Sequence, residues 1–420
     1  GTGVLRAYFP WYFIRGLTTG IAGAGSLFIA RSTGVPQHLL IASRGVGLTL
    51  GPIAMGDLLG RAVWSGNAEC AFALALAVKM ATELAIPRLS SGLALCFTFF
   101  LCGWAMAVLD TLGSILVTRI HGESCSGTFA RLDMAYSVGC AVAPFVVVAV
   151  HERAWPFLAV TDLVLVAVIV RKRLLRGKPR NWKAKIRGLP YEGDADDGGS
   201  VTARVPRHPA PARVVLVGLA YVLLSQLAMT SVSAWAFTYG VESMGLPEEV
   251  AACIPGAFYS ANLLSRGVIL RASAFIPSSG LLHYGAMATV LASLLFSALA
   301  ARTAATPREA ADSESSSPMV LLLLACFALL GAGFSPCYSH TMVAMHKHGE
   351  LSSKVLGWYQ TCASLGITGG MWLPGVVPLP SVEVAGSLLM LLLLVANSRD
   401  FPRRADPNAV EGKAALGAET

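Results

Sequence analysis

SGLALCFTFFLCGWAMAVLDTLGSILVT, residues 91–118, carries a single charged group, Asp110, in its whole length. About 20 consecutive apolar residues, at 1.5 Å rise each, cross the roughly 30 Å hydrocarbon core of a bilayer. This stretch exceeds that length and reads as a membrane-spanning helix. Runs of the same kind recur at 9–30, 38–57, 68–86, 127–150 and 154–170, and again at 214–240, 250–270, 281–301, 319–344, 351–373 and 382–398. The chain therefore reads as an all-α membrane protein of about twelve transmembrane helices. Its composition agrees: 55% of residues are hydrophobic and only 13% charged, where a soluble domain averages about 25% charged. A transmembrane β-barrel requires ten-residue segments of alternating polarity, and the apolar residues here come in blocks instead.

The two sets of six are separated by Arg171–Arg213, which begins RKRLLRGKPRNWKAKIR and continues into EGDADDGGS. That change of composition predicts four parts. These are an N-terminal six-helix half (1–170), a basic cytoplasmic linker (171–213), a C-terminal half (214–398) and a cytoplasmic tail (399–420). Cytoplasmic loops carry an excess of Lys and Arg. With the N-terminus inside, and Lys354 at the edge of its span counted with the adjoining loop, 22 of the 32 basic residues fall on the cytoplasmic side and 5 on the other, so both termini are expected in the cytoplasm. The net charge of +8 is accounted for by these loops, and no nucleic-acid partner is expected. Arg15 interrupts the first apolar run and no cleavage pattern follows it, so no signal peptide is expected. The nine cysteines lie almost all in apolar segments, with no CxxC and no Cys/His metal spacing; they read as free thiols.

Ionisable groups inside a span cost several kcal/mol if they face lipid, so they face a cavity or a partner. Asp110 stands out, with Gly103, Ala107 and Ser114 on its helical face. It reads either as a solute or cation site, or as a structural group that caps a neighbouring helix or pairs with Arg131. Lys79 and Glu83, one turn apart, read as a structural pair, and Asp162 as a partner for a neighbouring helix. In the seventh span Gln226, Thr230, Ser233 and Phe237 form a polar face, followed by Trp235 and Tyr239. Amides, hydroxyls and aromatic rings around a wet cavity suit a sugar, whose C–H face stacks on a ring. Belt aromatics and helix–helix hydrogen bonds explain the same residues. The tenth span contains GAGFSPCYSHTM, in which Pro336 predicts a bend or break, with Tyr338 and His340 just beyond it. His340 reads equally as a proton carrier or as a hydrogen-bonded core residue. Gln360 in the eleventh span is a further candidate for solute contact. Gly139 and Pro144 in the fifth span are echoed by Gly366 and Pro374, and Gly60–Arg61 by Arg266–Gly267, which points to an internal duplication. There is no GxSxG, no GxxxxGK[ST] and no HExxH, so neither soluble-enzyme chemistry nor ATP-driven pumping is expected. The scattered histidines argue against a membrane-embedded enzyme.

The six-plus-six layout and DLLGR at Asp57, Gly60 and Arg61 resemble the major facilitator superfamily, whose loop motif ends D-x-x-G-R. Three stretches are similar to the branch that holds bacterial fucose permeases and animal sodium-dependent glucose transporters. These are VLDTLGSILV ahead of MAYSVGCAVAPF, then SAWAFTYGVESMGLPEEVAACIPGAFYSANLLSRG, then GAGFSPCYSHTM. The resemblance implies two halves rocking around a central site lined by spans one, four, seven and ten. It also implies a role for Asp110 in substrate or cation coupling, and for Trp235 and Tyr239 at the cavity. Asp57, Gly60, Arg61, Gly139, Pro144, Arg266 and Pro336 are the expected gating positions. The chain departs from that branch where Ser114 replaces an Asn, where Ala30 stands for an acid, and where Gln226 and Met229 occupy the neighbourhood of another.

Together these readings predict a secondary transporter or facilitator of a small polar solute, with a monosaccharide expected. It works as a monomer in a plasma or organelle membrane and has no cofactor beyond a coupled proton or sodium ion. A sensor or scaffold that keeps the fold without transport, and a carrier of a non-sugar organic solute, are the alternatives.

Overall fold

The computed structural model describes residues 2–64, 68–121, 125–176, 210–273, 275–305, 316–348 and 353–398. Most of the expected linker and all of the expected tail lie outside these residues. The described residues are helical throughout, with no strand among them. In the first half run α1 (Thr2–Thr33), α2 (Gln37–Trp64), α3 (Ala68–Ala85), α4 (Gly92–His121), α5 (Cys125–Val150) and α6 (Ala154–Arg176). The second half holds α7 (Ala212–Thr238), α8 (Glu248–Ala272), α9 (Ser278–Ala305), α10 (Ser316–Phe334), α11 (Cys337–Lys347), α12 (Ser353–Trp372) and α13 (Leu379–Ala396). α10 and α11 are one span, interrupted at Ser335–Pro336. Pro336 has no amide hydrogen to continue the ladder and caps α11, where the His340 amide bonds the Pro336 carbonyl at 3.0 Å. The expected break is therefore present.

Eight stretches of the described residues are long and apolar enough to cross a membrane, and one of them, Arg131–Ile169, runs through both α5 and α6. The spans outside that set are α2, α8 and α12. They are glycine- and polar-rich helices that each pack one face between the two halves. The outer surface is apolar, with Phe97, Leu163, Leu216, Leu264, Leu291 and Leu392 all exposed, as lipid solvation requires.

Helix packing repeats between the halves. α1 packs on α5 as α7 packs on α12; α2 on α4 as α8 on α10; α3 on α6 as α9 on α13. The glycine echo has a physical basis here. A Cβ on Gly139 of α5 would overlap the Phe13 carbonyl oxygen of α1, and one on Gly366 of α12 would overlap the Leu223 carbonyl oxygen of α7. Both glycines let a backbone approach that any side chain prevents. They serve contacts within a half. Pro144 is buried in α5, which continues helical through it.

Three seams join the halves. α5 meets α8 through Phe145 on Gly256, Ser137 Oγ on Asn262 Oδ1 at 3.2 Å, and Tyr136 edge-on to Tyr259. α2 meets α12 through Gly45 and Thr49, whose hydroxyl is 2.7 Å from that of Thr368. The first helices of the halves meet where Gly23 of α1 comes against the Ser233 and Ala234 carbonyl oxygens of α7; an added Cβ would lie 2.9 and 3.0 Å from them.

Candidate functional site

Asp110 is buried on α4, and its partner is Arg15 of α1, with Nε 2.7 Å from Oδ1. Arg131, the partner weighed from sequence, is exposed instead. The Arg15 guanidinium lies 4.8 Å from the ring centre of Tyr136 on α5 and 5.5 Å from that of Tyr12 on its own helix. Aromatic faces stabilise a partly desolvated cation, and the carboxylate neutralises it. Ser114, one turn beyond Asp110, is half-buried.

A second pair continues the cluster across the seam. Arg266 of α8 places Nη1 3.1 Å from Asp133 Oδ2 of α5, joining one half to the other. Tyr338 of α11 is within electrostatic reach of Arg15, Asp110 and Asp133. Its hydroxyl donates to Gln360 Oε1 of α12 at 2.9 Å, while its carbonyl accepts from Tyr359 at 2.5 Å. The polar centre thus draws on α1, α4, α5, α8, α11 and α12, a wider set than the four spans the resemblance implied. His340 is half-buried and its Nδ1 has no partner.

Trp235 and Tyr239 are not at this centre. They line a separate cavity of about 650 Å³ at the end of the bundle where α1 turns into α2, together with Ala30, Gln37, Thr238 and Leu379. Along α1 this cavity starts at Leu27, so its near wall is about 18 Å from Arg15 at 1.5 Å per residue. Between them stands the Gly23 contact, reinforced by Gln37. The Gln37 amide donates to the Gly23 carbonyl at 3.1 Å, to Ser26 Oγ at 3.1 Å and to Thr238 Oγ1 of the other half at 3.0 Å. Outside it, Arg31 reaches Glu242 at 3.8 Å and Glu248 at 3.5 Å, again across the halves. The cavity is therefore sealed from the polar centre.

Trp235 spends its indole N–H on the Met371 carbonyl at 3.0 Å. Gln226 lies on the face of α7 that meets Gly366 of α12. The hydroxyls of Ser231 and Ser233 bond carbonyls of their own helix. The side chains of Asp57, Gly60 and Arg61 lie outside the described residues; the backbone there is part of α2. Lys79 binds Glu83 and Asp162 of α6, each at 2.6 Å, all three fully buried, which gives Asp162 the neighbouring-helix partner expected of it.

Sequence reasoning did not single out Arg15, Tyr12, Tyr136 or Gln37 as candidate site residues. Arg15 was legible: an arginine in the middle of an apolar run is itself an intramembrane charge that needs a carboxylate. No one-dimensional signal marks Gln37 or Tyr136.

A multi-pass bundle of two repeated halves, with charge pairs at their junction and a cavity closed off at one end, is the architecture of a secondary transporter. The chain belongs to the Major Facilitator Superfamily, whose family profile matches residues 8–371. Among solved structures it is similar to the nucleoside transporter NupG, at 13% identity and a TM-score of 0.63, over 95% of this chain and 98% of that one. A mutant of NupG matches at 13% identity and 0.63, over 94% and 99%. At that identity the likeness is one of fold. No curated protein sequence matches the chain.

Proposed function

We infer that the protein moves a small hydroxyl-rich solute by alternating access, binding it at the polar centre where Arg15 and Asp110 meet. One observation carries this reading. A salt bridge of 2.7 Å sits inside the bundle beside the seam between the halves, flanked by the rings of Tyr12 and Tyr136. A carboxylate and a guanidinium offer acceptors and donors to hydroxyls, and the tyrosines offer faces to a ring. A monosaccharide fits this chemistry, in keeping with the resemblance to the fucose permease branch. A nucleoside, the solute named for the compared transporter, adds a flat base to a similar hydroxyl set. The second pair, Asp133–Arg266, holds the halves together and must open as they rock. Asp57, Gly60 and Arg61 are proposed to act in the same movement. The basic linker argues for both termini in the cytoplasm, and one copy supplies the whole centre.

The test is uptake by the purified protein in liposomes, with labelled glucose, fucose, uridine and adenosine, with and without a pH or sodium gradient. Flux of a sugar or nucleoside that is lost in Asp110→Asn and Arg15→Gln, with both variants still inserted and monodisperse, is the expected result. Absence of flux for every solute in the panel supports a sensor or scaffold instead.

A further inference from the structure

Glu383 is the acid that the polar centre does not use. It sits in the second turn of α13, in the sequence LPSVEVAGSLLMLLLLVA, and is fully buried. Neither carboxylate oxygen has a hydrogen-bond partner, and no described cation lies within ion-pairing distance of it. α13 packs on α7 and α9. Among the described residues, no charged or titratable group of those two helices hydrogen-bonds to Glu383. Arg213 bonds Asn397 at the far end of α13, and Tyr221 contacts Cys337 of α11. On α9, His283 bonds its own helix at Ser279 through Nδ1 (2.8 Å), and its buried Nε2 has no hydrogen-bond partner among the described residues. It stands ten residues before Ser293, which meets Ser387 of α13 at 3.0 Å, while Tyr284 and Arg302 are exposed. Glu242 and Tyr239, on the turn that follows α7, face Arg31 and Phe296 respectively.

An ionised carboxylate in such surroundings costs many kcal/mol, and a buried acid without a cation keeps its proton instead. Its position decides what that proton can do. Leu379, one turn earlier on the same face of α13, lines the cavity, as do Trp235 and Tyr239 of the helix beside it. Three residues on, Gly386 lies against Ala228 of α7, on the closed side. Glu383 therefore lies just under the cavity floor, at the level of the seal.

We propose that Glu383 is a proton-binding site that meets the cavity when this end opens and the opposite side when this end closes, making this carrier proton-coupled through α13. When the halves part at this end, the cavity deepens by a turn and water reaches the carboxyl. The acid then gives its proton to that water, becoming a carboxylate. It takes one back from the water of the opposite side once this end has closed and the other has opened, so that each cycle carries one proton across. A metal cation requires several oxygen ligands, and among the described residues Glu383 belongs to no group of three His, Cys, Asp or Glu side chains. A lone carboxyl suits a proton. The inference rests on the transport reading for its functional meaning, although the protonation of Glu383 stands apart from it.

Two measurements on the full chain separate these parts. Infrared spectra of the reconstituted protein at neutral pH, in H2O and D2O, report the carbonyl stretch of protonated acids. The expected result is a protonated-acid band that loses intensity in Glu383→Gln, keeps it in Asp110→Asn, and shifts without loss in Glu383→Asp. A Glu383→Gln spectrum superimposable on wild type overturns the proposal. In liposomes, with glucose and uridine as probes, Glu383→Gln is expected to abolish pH-gradient-driven accumulation while equal-pH exchange stays within about twofold of wild type. Accumulation that persists in Glu383→Gln also overturns it. If neither probe moves in wild type, the solute reading fails while the infrared result still decides Glu383.

Discussion

Removing one partner of the Arg15–Asp110 pair leaves a charge stranded inside the bundle, and the size of the loss follows from its geometry. Breaking a fully buried pair costs about 3–5 kcal/mol, because the remaining charge is desolvated without compensation. Here the contact is 2.7 Å, and the two side chains keep 22% and 12% exposure, so some water reaches the guanidinium. Asp110→Leu and Arg15→Met are each expected to destabilise the protein by roughly 3 kcal/mol, the lower end of that range. The double substitution removes both charges and recovers most of it, giving a coupling energy of about 2 kcal/mol or more in a double-mutant cycle. The assay is reversible unfolding in mixed micelles by denaturing detergent, followed by tryptophan fluorescence. The double variant is expected to fold well and transport nothing, which separates the structural part of the pair from its role toward solute. Single-variant losses that simply add, with coupling under about 0.5 kcal/mol, would refute the pair as a unit.

Three further outcomes follow from the same structure. Gly23→Val inserts carbon where an added Cβ meets the Ser233 and Ala234 carbonyl oxygens at 2.9 and 3.0 Å. Overpacking costs about 1–3 kcal/mol and falls on the sealed conformation, so a cysteine placed at Thr19 should react at least several-fold faster with a water-soluble maleimide; an unchanged rate removes Gly23 from the seal. Arg31→Gln opens the outer bridges to Glu242 and Glu248, which are 45%, 51% and 30% exposed, and such pairs are worth at most about 1 kcal/mol. The same thiol probe should therefore change by less than tenfold, and high salt should erase the difference. Lys79→Met strands Glu83 and Asp162 and is expected to cost about 3 kcal/mol or more. Lys79→Met/Glu83→Gln/Asp162→Asn should recover most of the melting temperature, and failure to do so assigns the three residues a role beyond neutralising one another.

Transport chemistry in this fold depends on which helices lie side by side, and the fraction of it legible in the sequence follows from that. Asp110 was legible because an acid has no reason to sit in residues 91–118 unless something receives it. The break at Pro336 was legible because proline removes a backbone donor wherever it stands. The glycine echo between Gly139 and Gly366 was legible as a repeat. Its meaning, two equivalent backbone contacts on Phe13 and Leu223, needed the neighbouring helices. Trp235 and Tyr239 were legible as aromatic residues beside a polar face, whereas only the packing separates the cavity they line from the Asp110 centre.

The sequence by itself determined the spans, the division into halves and the residues with chemistry to spare. A bilayer imposes a length and a polarity that can be read along one chain. Only the tertiary structure decided the partners: Arg15 for Asp110, Asp133 for Arg266, and no hydrogen-bond partner among the described residues for Glu383. An α-helix shows its own periodicity but not its neighbours. Those are set by how glycine-lined backbones approach across the bundle, between residues that sequence order keeps far apart.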